Sequence, residues 1–129
     1  MTVKKLTPVL LVDAVEPSVK FWVERLGFEK TIDVPDGDTL AFVILQKAGV
    51  ELMYQTFASV EKDMSYNAQS HSKGPTFLYV EVDNLDQIVS AMTGVEVVMP
   101  VRTSFYGAKE IGVKEPGGHI VTFAQFGAV

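Results

Sequence analysis

Few residues of this chain stand in a spacing that chemistry would require. Glu51 and Glu81 lie within the apolar runs GVELMYQ (49–55) and TFLYVEV (76–82), where two carboxylates in a dry site could share a proton. His71 falls in a polar stretch, where a solvated surface position is expected, and His119 follows Gly118 at the head of HIVTFAQ. A metal set of His71, His119 and Glu51 has no ligand-spacing motif in its favour. Ser59 and Ser104 lack the nucleophile-elbow context, and no glycine-rich phosphate loop is present. Cysteine is absent, which removes thiolate nucleophiles, thiolate metal ligands and disulfides.

The elements that would position these groups can be read in order. Leu6–Val12 is a β-rich apolar run closed by Asp13, and a helix is expected over 17–26, with Pro17 in its first turn and Gly27 as its C-cap. Trp22, the single tryptophan, sits at helical spacing with Val19, Val23 and Leu26 and is assigned to the core. Strands are expected over 28–34, 39–46 and 50–55, separated by the PDGD turn at 35–38 and a turn at 47–49. Residues 57–75 change to Ser, Lys, Asn, Gln, Gly and Pro and read as a linker with a short helix around 60–66. The programme then restarts with a strand over 76–82, a helix over 85–92 and strands over 95–99, 109–113 and 119–125, the last two joined by Pro116-Gly117-Gly118.

The restart is an internal repeat. Val12-Asp13 and Val82-Asp83 each close a first strand, and Gly27 and Gly94 each close the helix that follows, at offsets of 14 and 11 residues. The fold class is therefore α+β, with two βαβββ modules, 1–56 and 76–129, joined by the linker 57–75 in one domain of 129 residues. Neither four-stranded module would bury a sheet face alone.

Two such modules, the helix end FWVERLGF (21–28) and the closing FYGAKEIGVKEPGGHIVTFAQF (105–126) resemble the vicinal oxygen chelate superfamily. That group comprises glyoxalase I, extradiol dioxygenases, and fosfomycin- and bleomycin-resistance proteins. The final hairpin departs from the family pattern at Glu115 and Gly117, where aspartates are frequent. The resemblance implies that each module curls into half of a cup-shaped cleft. It also implies a divalent metal held at four positions, which fall here on Thr7, Glu51, Phe77 and Thr122. One carboxylate in four cannot hold such an ion. The expectation is thus no metal and no cofactor, as in the bleomycin-resistance branch.

Period-two alternation supports the same register without the family. Leu10, Val12, Val50, Leu52, Leu78, Val80, Val82, Val121 and Phe123 form an apolar set for a helix-covered face. The opposite set includes Thr7, Glu51, Met53, Gln55, Phe77, Tyr79, Glu81 and Thr122, a mixture suited to a ligand cavity. Arg102 is a candidate partner for Glu51, and Tyr106 in the aromatic–glycine corner completes the ligand-facing residues. Aromatic faces and a carboxylate suit a small cationic or aromatic ligand. The alternative is an enzyme of the lyase or dioxygenase type with an unconventional metal set or Glu51 acid–base chemistry.

Composition limits the partners. With 11 basic against 16 acidic residues, net charge −5 and no basic run, neither nucleic acid nor an anionic membrane is an expected partner. No signal-peptide pattern is seen at the N-terminus, so the cytoplasm is the expected compartment. Exposed sheet edges and the family's habit imply a homodimer.

Overall fold

The computed structural model describes residues 1–67 and 74–127. The chain forms two compact units, Met1–Lys73 and Gly74–Val129, each a βαβββ module. His71 lies outside the described residues.

In the first unit, β1 (Val9–Val12) leads into α1 (Glu16–Lys20), which runs on as a π-helical turn over Phe21–Arg25. The sequence predicts one uninterrupted α-helix here. The wider turn accompanies the burial of two neighbouring aromatics, Phe21 and Trp22. Gly27 ends the helix with φ +73°, and Lys47 Nζ donates to the Leu26 carbonyl at 2.6 Å, satisfying one of the acceptors a helix end leaves open. β2 (Glu29–Asp36), β3 (Thr39–Lys47) and β4 (Val50–Thr56) follow, then α2 (Phe57–Met64). The sheet order is β1-β4-β3-β2, with β1 parallel to β4.

The second unit repeats the order. β5 (Phe77–Glu81) is followed by α3 (Leu85–Ala91), β6 (Glu96–Thr103), β7 (Lys109–Lys114) and β8 (Ile120–Gln125), in the sheet order β5-β8-β7-β6. Asn84 caps α3 by accepting from the Gln87 N–H at 3.0 Å. Each outer strand β2 and β6 carries a register shift beside a proline, at Val34/Pro35 and between Met99 and Arg102. Proline is tolerated there because an edge strand has no second neighbour to donate to.

One face of each sheet is sealed. Leu10, Val12, Val43, Leu45, Leu52 and Tyr54 are buried in the first unit, and Ile111, Val113, Val121 and Phe123 in the second. Trp22 closes this core in the first unit: its Nε1–H donates to Tyr54 Oη at 2.9 Å, and Phe28 meets its ring edge-on at 5.0 Å. Of the predicted inward set, Leu10, Val12, Leu52, Val121 and Phe123 are buried and Leu78, Val80 and Val82 half-buried, while Val50 is 55% exposed. Val50 opens β4 straight after the Ala48–Gly49 turn, at the end of the sheet away from α2.

Candidate functional site

The opposite face of each sheet keeps polar side chains. In the first unit, cross-strand register aligns Val9 with Met53 and Met53 with Ile44, while Gln46 pairs with Glu51. Glu51 therefore points away from the Trp22 core, as alternation requires. Its carboxylate has three partners. Lys5 Nζ lies 2.8 Å from Oε1, Thr7 donates to Oε1 at 3.1 Å and Gln46 Nε2 donates to Oε2 at 2.7 Å. The Lys5 hydrogen bond, followed by that of Gln46, holds the Glu51 carboxyl below the ordinary carboxylate value, against a smaller upward effect of burial. Lys5 reaches Glu51 because the chain entering β1 brings it alongside β4.

Further along the same face, α2 lies over the ends of β3 and β4. Thr56 caps it by accepting from the Ser59 N–H at 3.1 Å. Beside it is a cavity of about 470 Å³ with Val34 and Phe42 as its apolar wall and Gln55, Ser59, Lys62 and Asp63 as its polar one. Gln55 is anchored by donating to Ser59 Oγ at 3.0 Å.

In the second unit the centre is Glu110, which sequence analysis did not single out. Register places Tyr79 opposite Thr122, Thr122 opposite Gly112, and Ala124 opposite Glu110, so Glu110 shares the open face with Tyr79. Its side chain is buried beneath them. Tyr79 donates to Oε2 at 2.6 Å, Tyr106 donates to the same oxygen, and Arg102 Nε and Nη2 each reach Oε1 at 3.3 Å. The hydrogen bond from Tyr106, then that from Tyr79, holds the Glu110 carboxyl below its ordinary value despite burial, with Arg102 adding to the effect. Burial first, and the bond to Glu110 second, push the Tyr79 phenol above its ordinary value. At neutral pH the pair is thus a phenol and a carboxylate, fixed in those forms.

Two local devices build this cluster. The register shift in β6 brings Arg102 opposite Glu110. The loop after β6 is pinned by mutual bonds between Ser104 and Ala108, at 2.7 Å and 3.0 Å, with Gly107 at φ +89°, a conformation glycine takes without strain. Ser104 is thereby a loop staple, and Tyr106 is turned back over Glu110. The alternation in KEIGVK carried the signal: Ile111 and Val113 face the core, so Glu110 and Gly112 must face away.

Of the other predicted residues, Phe77 is 71% exposed, Glu81 is exposed at the end of β5, and Thr122 is half-buried beside Tyr79. His119 is buried, and its Nδ1 accepts the Thr76 N–H at 2.9 Å, while its own N–H donates to Glu115 Oε1 at 2.8 Å. It ties the Pro-Gly-Gly hairpin to the start of β5. Among the described residues neither unit offers the donor set of a divalent ion. Thr7 and Glu51 are spent on each other and on Lys5, while Phe77 has no donor atom beside Thr122. Among the described residues no group of three or more His, Cys, Asp or Glu side chains could hold a metal, and no helix is long and apolar enough to cross a membrane.

The family model for the Glyoxalase/Bleomycin resistance protein/Dioxygenase superfamily matches residues 5–123. Solved structures agree on the fold. TioX from Micromonospora sp. ML1 gives a TM-score of 0.78 at 18% identity, covering 95% of this chain and 98% of that one. A glyoxalase/bleomycin resistance protein/dioxygenase from Nocardioides gives 0.75 at 18%, covering 98% and 85%. The bleomycin-binding protein of bleomycin-producing Streptomyces verticillus, solved with copper(II)-bleomycin, gives 0.66 at 26%, covering 96% and 98%. No curated protein matches the chain.

Proposed function

The chain belongs to the Glyoxalase/Bleomycin resistance protein/Dioxygenase superfamily, and we propose that within it this protein binds a small cationic or aromatic molecule without a divalent metal centre. The observation that supports this most is the state of Glu51. The one carboxylate at the four family-implied positions already has Lys5, Gln46 and Thr7 as partners, leaving little to offer a metal. The open faces instead present aromatic rings, hydroxyls and carboxylates held in their charged form, the equipment of recognition rather than of proton transfer. The resemblance to a bleomycin-binding protein at 26% identity supports the same direction. We further propose a cytoplasmic homodimer.

Thermal-shift screening of the purified protein against metabolites and antibiotics tests the reading, alongside metal analysis. Stabilisation by cationic or aromatic compounds with no bound metal is the expected result. A stoichiometric divalent ion, or no hit at all, would overturn it.

A further inference from the structure

Each phenol has one proton to give and lone pairs with which to accept. Tyr79 and Tyr106 both direct their protons to Oε2 of Glu110, while Arg102 occupies Oε1. The two phenolic oxygens stand 3.3 Å apart with Tyr79 directed also toward Tyr106, so its one proton is shared between Glu110 and Tyr106 and neither phenol has a proton left for a third group. A pair of acceptor oxygens therefore sits side by side on residues that remain 51% and 45% exposed. Exposed rings surround them. Phe77 lies two positions before Tyr79 on the same face of β5. Phe105 meets Tyr106 edge-on at 4.9 Å, and Phe126 lies nearly parallel to Tyr106 at 6.1 Å.

We propose that this patch of the second unit is a binding site for a flat cation rich in N–H groups, an aromatic amidinium or guanidinium. Its N–H groups donate to Tyr79 and Tyr106, and its ring lies against the phenylalanines. The acceptor pair turns away anions, which would meet only lone pairs, and it gives no purchase to a quaternary ammonium, which lacks N–H. Because Arg102 offsets the charge of Glu110, attraction comes from the acceptors and the ring faces, and added salt has little effect on it. Glu110 acts as a positioning residue: by taking both phenolic protons it fixes which groups the surface shows. This inference rests on the proposed small-molecule function and names the ligand class and the place.

Benzamidine is the probe, titrated into the ¹⁵N-labelled full chain, with neutral benzamide and anionic benzoate as comparators. Benzamidine should shift amides of β5, β8 and the 104–108 loop and bind more tightly than either comparator. Tyr79→Phe and Tyr106→Phe should each weaken it by about tenfold, with spectra that keep the dispersion of the folded chain excluding unfolding. Glu110→Gln should narrow the preference for benzamidine over benzamide, since an amide N–H can occupy one phenolic oxygen and release that phenol's proton outward. A purely structural Glu110 would change both affinities together. Equal binding of benzoate, or indifference to Tyr79→Phe, would overturn the proposal. Shifts confined to the Glu51 sheet, or failure of benzamidine where a library compound binds, would overturn it while leaving the proposed function standing.

Discussion

Lys5 Nζ lies 2.8 Å from Glu51 Oε1, and its own side chain is 62% exposed while that of Glu51 is 9% exposed. A tethered ammonium from the irregular N-terminal segment thus stands where a cation would otherwise meet the carboxylate. Such a pair, open on one side, adds little to stability, so its removal should be felt in binding rather than in folding.

Glu51→Gln should keep the fold and weaken a cationic ligand of this face, on the order of tenfold for a lost charge-assisted bond. Lys5→Ala should leave the melting temperature nearly unchanged and strengthen the same ligand. Titration calorimetry with a cationic hit from the screen, beside thermal denaturation, separates the two effects. A drop in melting temperature with unaltered affinity for Glu51→Gln would make Glu51 a structural residue.

Acid should destabilise the protein through its depressed carboxyls. Glu51 and Glu110 both sit below the ordinary value of 4.5, so the folded state holds their protons less tightly than the unfolded chain does. Their contribution is complete above the unfolded value and is lost as pH falls through the lower folded ones. Melting temperature against pH should decline below about 4.5, and the decline should be shallower in Glu110→Gln. An unchanged acid limb in that variant would contradict the network drawn around Glu110.

At the alkaline end the sign reverses. Tyr79 is raised above its ordinary value of 10.0, so its contribution is present below that value and lost as pH rises through the folded one. In absorbance titration near 295 nm, Tyr79→Phe should remove signal from the highest-pH portion of the curve alone. Loss of signal near pH 10 would place Tyr79 in water, free of Glu110.

The core prediction concerns Trp22. Its indole fills the space between α1 and the first sheet and donates to Tyr54 at 2.9 Å. Trp22→Ala should cost about 3–5 kcal/mol, and Trp22→Phe about 1–3 kcal/mol as the buried Tyr54 hydroxyl loses its donor. Urea denaturation measures both, and a Trp22→Phe variant as stable as the parent would show the bond to be dispensable.

A homodimer is expected at micromolar concentration, since β1, β2, β5 and β6 are edge strands within their sheets and unpaired edges invite a partner. Light scattering that returns only monomer mass would count against it.

Local chemistry was legible in the chain because strands and helices write their periods into the order of residues. Alternation placed Leu10, Val12, Leu52, Val121 and Phe123 inside and Glu51 outside. Gly27 and Gly94 marked helix ends because both adopt positive φ, and Trp22 read as core from helical spacing. Alternation also carried Glu110, had KEIGVK been read against the apolar pair Ile111 and Val113. What the order of residues could not supply was partnership. Lys5 reaches Glu51 only because β1 lies parallel to β4, bringing residues 46 positions apart together. Arg102 reaches Glu110 only through the slip in β6, and Tyr106 only through the Ser104–Ala108 staple. A side chain's face follows from its neighbours along the strand. The charge or hydroxyl it meets depends on cross-strand register, bulges and loop closure, and those are decided when the whole sheet pairs.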